Sequence, residues 1–127
     1  MKVVAYNIKT FEKAGLADFN HRKHRITLIS NPLGEETVAY AAGKDAVIVS
    51  DNDVVSAPII NKLADMGIRY ISTRSVHMDH IDAVAADKRN IKIANVALAQ
   101  VAGQTIRNLD RWQRETNLAA GSRQKTA

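Results

Sequence analysis

The chain reads as a three-layer α/β domain: a five-stranded parallel sheet with helices on both faces, in the flavodoxin-like arrangement. Three observations carry this expectation. Short apolar runs alternate strictly with amphipathic or turn-bounded segments along the 127 residues, and such alternation implies parallel strands joined by right-handed crossovers. The runs are almost continuous in Val, Ile and Ala, as strands buried on both faces require. Hydrophobic residues make up 46% of the chain but aromatic residues only 5%, so the core must be built mainly from Ala, Val, Ile and Leu.

The elements follow in order. Val3-Val4-Ala5-Tyr6 is the first strand. Phe11, Leu16 and Phe19 lie among Glu12, Lys13 and Asp18, which is an amphipathic helix pattern. Residues 21–25 form a polar connection with His21 and His24 at its surface. Ile26-Thr27-Leu28-Ile29 is the second strand, and Asn31-Pro32-Leu33-Gly34 a turn. Residues 35–42 are expected as a short helix capped by Gly43. Ala46-Val47-Ile48-Val49 is the third strand. Ser56 is placed to cap a helix carrying Ile59, Ile60 and Leu63 and closed by Gly67, with Pro58 tolerated in its first turn. Residues 69–73 are the fourth strand, 81–88 a helix and 91–94 the fifth strand. Residues 98–112 form the last and longest helix, with Leu98, Val101, Ala102, Thr105, Ile106 and Leu109 on one face. Residues 1–120 are expected as a single domain, in which a returning helix within 97–120 closes on 1–96. Residues 121–127 are expected as a disordered tail.

Composition excludes several classes. There is no cysteine, hence no disulfide and no thiolate chemistry. No apolar run reaches membrane-spanning length, and the first residues lead straight into a strand, so a cytoplasmic protein is expected. The net charge is +5, much of it from Arg107, Arg111, Arg114, Arg123 and Lys125. No aromatic residues interleave with these cations to stack bases, so a solvated helix face is expected rather than a nucleic-acid site.

Open parallel sheets bind ligands beyond the C-terminal ends of their strands. The turns there are Asn7-Ile8-Lys9, Ser50-Asp51-Asn52-Asp53 and Arg74-Ser75-Val76-His77. Polar chemistry is densest at residues 75–82. Asp79 is expected to cap the following helix, with Asp82 three positions on. A strand-to-helix turn of this kind aims backbone N–H groups at one spot and favours anions. Other chemistries on this fold fail on their key residues. A phospho-acceptor domain needs an acidic pair after the first strand and a Lys after the fifth, where Asn7 and Asn95 stand. A flavodoxin needs a hydroxyl- and glycine-rich phosphate loop, which Asn7-Ile8-Lys9-Thr10-Phe11 is not. His77 and His80, with Asp79 and Asp82, lack a metal-binding spacing signature. His77 reads as an exposed loop residue and His80 as a structural hydrogen-bonding one. Asp51 and Asp53 read as a solvated loop rather than an acid/base pair.

The run Arg74-Ser75-Val76-His77-Met78-Asp79-His80-Ile81-Asp82 resembles the substrate loop of the D-2-hydroxyacid dehydrogenases, above all the D-lactate dehydrogenase branch. That family writes it R-S-x-G-x-(D/N)-(N/H)-(I/V)-D. The flanks are similar too: Leu63-Ala64-Asp65-Met66-Gly67-Ile68-Arg69-Tyr70-Ile71 before it, Ile91-Lys92-Ile93-Ala94-Asn95-Val96 after it, and the opening Met1-Lys2-Val3-Val4-Ala5-Tyr6. The resemblance covers roughly three quarters of the chain and rests on the combination of these pieces.

It implies an oxidoreductase family that uses NAD and takes small 2-oxo or 2-hydroxy acids. It carries substrate binding onto Ser75, Val76, His77, Ser50 and Asp51. His77 stands at the family's glycine, where a side chain obstructs close backbone approach to a carboxylate. No G-x-G-x-x-G turn occurs in the chain. The family's substrate-holding Arg, acid/base His and tuning Glu find no counterpart, so no catalytic, cofactor-binding or metal residue is assigned. After Asn95-Val96 the chain passes directly into a helix that resembles the family's extreme C-terminal one. The chain therefore resembles such an enzyme with its inserted nucleotide domain removed, by engineering more than by natural deletion. The expectation is an isolated substrate-binding domain, inactive alone and binding a small 2-oxo or 2-hydroxy acid weakly, with a monomer favoured over an oligomer and no nucleic-acid or membrane partner. The alternative is a free-standing flavodoxin-like domain that binds another small anion or a protein.

Overall fold

The computed structural model describes residues 1–10, 13, 24–95 and 101–125, with side chains left aside at 101–103 and 118–125. Strands β1 (Lys2–Ala5), β2 (Arg25–Leu28), β3 (Ala46–Val49), β4 (Tyr70–Thr73) and β5 (Lys92–Ala94) form one parallel sheet in the order β2-β1-β3-β4-β5. This is the flavodoxin-like order, with its direction of winding reversed between β1 and β3. The connecting elements are a 3-10 helix (Val38–Ala41) and the helices α1 (Ala57–Asp65), α2 (Ala83–Lys88) and α3 (Val101–Lys125).

The two-residue repeat of the strands sorts side chains onto two faces. Val4, Val47, Val49 and Ile71 pack with Val38 and Ala41 of the 3-10 helix, Ile59, Ile60 and Leu63 of α1, and Ala86 of α2. Val3, Ala5, Ala46, Ile48 and Tyr70 pack on the other side with Ile106, Leu109 and Trp112 of α3. Trp112 stacks on Tyr70 with ring centroids 4.6 Å apart and planes 19° from parallel. Helices thus cover both faces, as expected. Among the described residues no helix is long and apolar enough to cross a membrane.

Several elements differ from expectation for identifiable reasons. Residues 35–42 form turns and the 3-10 helix rather than an α-helix. The Thr37 hydroxyl accepts from Gly34 N (2.9 Å) and donates to Pro32 O (2.7 Å), offering the backbone an alternative to a helical first turn. α2 begins at Ala83 rather than residue 81, because Ile81 pairs with Val55 in a parallel bridge and holds the chain extended. Asp82, not Asp79, is its N-cap, accepting from Ala85 N at 3.0 Å. Ser56 occupies the N-cap position of α1 without a side-chain cap bond, and Pro58 sits in the first turn as expected. α3 runs on past Trp112 to Lys125, so 121–125 are helical where a tail was expected. Thr105, Ile106 and Leu109 are buried on its inner face. The amphipathic pattern at 11–19, His21, Leu98 and the side chains of Val101 and Ala102 lie outside the described residues.

His24 is corrected most sharply. It is buried, not a surface residue, and its Nε2 lies 2.8 Å from Asp110 Oδ1 on α3. This pair sits at the N-terminal end of the sheet, far from the ligand edge.

Candidate functional site

Three turns meet at the C-terminal ends of β1, β3 and β4. Asn7 closes β1 with φ of 56°, a left-handed conformation that asparagine adopts more readily than most residues. Its Nδ2 donates to Ser50 Oγ at 3.1 Å, and its Oδ1 accepts from Lys9 Nζ at 3.1 Å. The β1 and β3 turns are thereby joined through side chains that sequence alone placed only at the same edge.

Asp53 organises the β3 turn from beneath. It is fully buried. One carboxylate oxygen accepts from Ser50 N (2.8 Å) and the other from Leu33 N (2.9 Å). The expectation of a solvated Asp51/Asp53 loop therefore holds for Asp51, which is exposed, and fails for Asp53. Two main-chain donors more than fifteen residues apart converge on one carboxylate, which no local pattern signals.

Arg74 does the same for the β4 turn. It is 8% exposed, and its guanidinium donates to Tyr6 O at 3.2 Å and Asn7 O at 3.1 Å. The positive charge lies just under the loop. Sequence reasoning quoted Arg74 only as part of a motif; its anchoring role follows from geometry.

Above this base lies the loop of residues 75–80. Ser75 is buried, whereas Val76 and His77 are exposed. His77 N donates to Ser75 Oγ at 3.0 Å, so this N–H turns inward rather than toward a ligand. The amides of Ser75 and Val76 have no protein acceptor among the described residues. Val76 O accepts from Asn95 Nδ2 at 2.9 Å, tying the loop to the end of β5. His80 takes the structural role expected of it, with Nε2 2.9 Å from Thr73 Oγ1. Val55 N–H donates to His80 O and Asp82 N–H to Val55 O, both at 2.9 Å. The anion-binding idea must accordingly shift from a helix N-terminus to the loop amides, since Asp82 already satisfies the start of the short α2.

Asp51, His77, Asp79 and His80 line an open depression of about 340 Å³ over this loop. Ser50, held by Asn7 and Asp53, precedes Asp51 in the same turn. Thus the structure brings Ser50, Asp51, Ser75, Val76 and His77 to one edge, with Ser50 and Ser75 inward and His77 outward. Two carboxylates face the depression, a setting that opposes a bound anion unless donors outweigh them. Among the described residues no group of three or more His, Cys, Asp or Glu could hold a metal ion.

Comparison with known proteins agrees with this geometry. The family described as D-isomer specific 2-hydroxyacid dehydrogenase, catalytic domain, matches residues 2–115, which include the first part of α3. A D-lactate dehydrogenase of Lactobacillus delbrueckii subsp. bulgaricus is 35% identical over 97 residues, covering 75% of this chain and 29% of the relative. An aromatic 2-oxoacid reductase of Clostridium sporogenes is 31% identical over 97 residues, covering 76% of this chain and 29% of its own length. The apo structure of D-lactate dehydrogenase from Escherichia coli superimposes with a TM-score of 0.73 at 29% identity, over 76% of this chain and 31% of that one. The chain thus spans under a third of the length of the relatives it matches. Parallel sheet, edge loop and matched span agree, and the chain belongs to the D-isomer specific 2-hydroxyacid dehydrogenases as a catalytic domain.

Proposed function

We propose that this chain is the substrate-binding half of an NAD-dependent D-2-hydroxyacid dehydrogenase of the D-lactate type, inactive by itself. The observation that supports it is the anchoring of the 75–80 loop over Arg74, Asn7 and Ser50 at the ligand edge of a sheet from that family. In this reading the Ser75 and Val76 amides meet the carboxylate of a small 2-oxo or 2-hydroxy acid. Ser50 and Asp51 border it, and His77 flanks it from the family's glycine position. Half of a pocket stays open to water, and Asp51 and Asp79 oppose an anion. Affinity is expected to be roughly millimolar or weaker.

The chain's own residues do not fit a dinucleotide. The turn after β1 has no glycine; Asn7 and Ile8 are both buried there, and the Asn7 side chain is occupied by Lys9 and Ser50. Backbone approach to a pyrophosphate is therefore obstructed. Reduction of a 2-oxo acid needs a hydride donor held against the carbonyl and an acid to protonate its oxygen. His77 and His80 are the imidazoles at this edge, and His80 is turned onto Thr73. The direct passage from β5 toward α3 fits a nucleotide domain absent between Val96 and Ala97, through engineering or truncation. The alternative, a free-standing domain for another small anion or a protein, predicts a gene without a nucleotide domain at that point.

The test combines NADH oxidation with pyruvate at high protein concentration and NMR titration with pyruvate. The expected result is no turnover above background, with weak shifts confined to residues 75–79. Turnover that disappears in His77→Ala would make His77 catalytic and overturn the inactive reading.

A further inference from the structure

At the other end of the sheet a second, unrelated hollow opens between the edge strand β2 and the segment after the 3-10 helix. It measures about 530 Å³, and Lys2, Arg25, Thr27, Gly43 and Lys44 contribute to its lining. Lys2 and Arg25 open β1 and β2 and are direct partners in the parallel register, so their side chains leave the sheet on the same face. Lys2 shares its parity with Val4, which places both on the face of the 3-10 helix. Lys44 approaches from that helix after Gly43, whose φ is +77° and whose absent Cβ leaves open space.

Three cations thus border one hollow. Among the described residues none of their side chains has an ion pair or hydrogen bond. The nearby carboxylate, Asp45, is turned to the Lys2 backbone, accepting from its N–H at 2.9 Å. The three positive charges exceed the single negative charge of Asp45 and repel one another, and an anion between them relieves that repulsion. The arginine fork suits two phosphate oxygens at once, and the ammonium groups of Lys2 and Lys44 add point charges. A hollow of this size lies in the ordinary range for small-ligand sites, and is larger than a single phosphate fills.

We propose that this groove binds a small soluble diphosphate-bearing ligand, held by Lys2, Arg25 and Lys44. The site is independent of the substrate loop, which lies at the opposite ends of the strands.

The test is an NMR titration of the chain with inorganic pyrophosphate at low salt. Saturable shifts are expected at the amides of Lys2, Arg25, Thr27, Gly43 and Lys44, leaving residues 75–79 unmoved. Lys44→Glu should weaken binding by at least about tenfold, whereas Lys62→Glu, a charge reversal on exposed α1 surface, should leave it unchanged. Retained chemical shifts in β4 and α1 confirm that each variant folds. Shifts spread over every basic surface, equal affinity in Lys44→Glu, or preferential binding of a single-stranded oligonucleotide through the same residues would each overturn the proposal.

Discussion

The two faces of the sheet are covered in opposite ways. On one, α1 and α2 each lie within a short connection between neighbouring strands, and the 3-10 helix lies in the connection that passes from β2 over β1 to β3. On the other, among the described residues, Val3, Ala5, Ala46, Ile48 and Tyr70 rest on α3 alone, a helix from the far end of the chain. The first face can assemble piecewise as each crossover closes. Among the described residues, the second is completed by a segment about a hundred residues from β1. α3 also ties down the start of the chain: Asp110 meets His24, and Gln113 Oε1 accepts from the Met1 amine at 2.9 Å. The lesson is that the ligand edge draws on both faces: Asp53 fastens Leu33 beside the locally built face, while Ile8, next to Asn7, packs with α3.

Removing α3 should have the largest effect. A chain ending at Val96 is expected to aggregate or lose cooperative unfolding, because the apolar residues of three strands would face water. A soluble product with a single sharp urea transition would show the second face to be dispensable. Within α3, Trp112→Ala removes the side chain stacked on Tyr70 and should cost about 3–5 kcal/mol in urea denaturation.

The locally built face is tested next through its ligand edge. Asp53→Ala leaves the amides of Ser50 and Leu33 without their acceptor, at about 1–3 kcal/mol for each buried donor. It should also broaden the amide signals of residues 50–53 while sparing α3. Equal broadening at Trp112 would mean that the two faces are not separable.

The smallest effect is confined to alkaline pH. Burial, and then the negative charge of Asp53, push the Tyr6 phenol up from 10.0 to about 12, with Tyr40 adding to the rise. The folded state therefore keeps a proton that the unfolded chain has lost. The stability this group contributes is fully present below pH 10 and is lost as pH rises through about 12, falling by about 1.4 kcal/mol per pH unit within that window. Tyr6→Phe should abolish this part of the slope. It also removes the 2.7 Å hydrogen bond to Thr37 O, a loss of about 1 kcal/mol. An unchanged slope in the variant would assign the alkaline loss to other groups.

The apolar runs and their alternation with amphipathic segments alone determined the five parallel strands and the ligand edge, because burial of a strand or an amphipathic helix is written in the spacing of its own apolar residues. The run from Arg74 to Asp82 likewise carried the family, as a local string with local meaning. Only the tertiary structure decided which polar residues go inside. Asp53 is buried because Leu33 and Ser50 bring their amides to it, and Arg74 because Tyr6 and Asn7 present carbonyls. His24 is buried because Asp110 arrives from α3. The extended bridge between Val55 and Ile81 moved the helix cap from Asp79 to Asp82. In each case at least one partner is remote in sequence, so the residue's own neighbours hold no full record of it; a buried polar group is stable only where such a partner has been delivered by the fold.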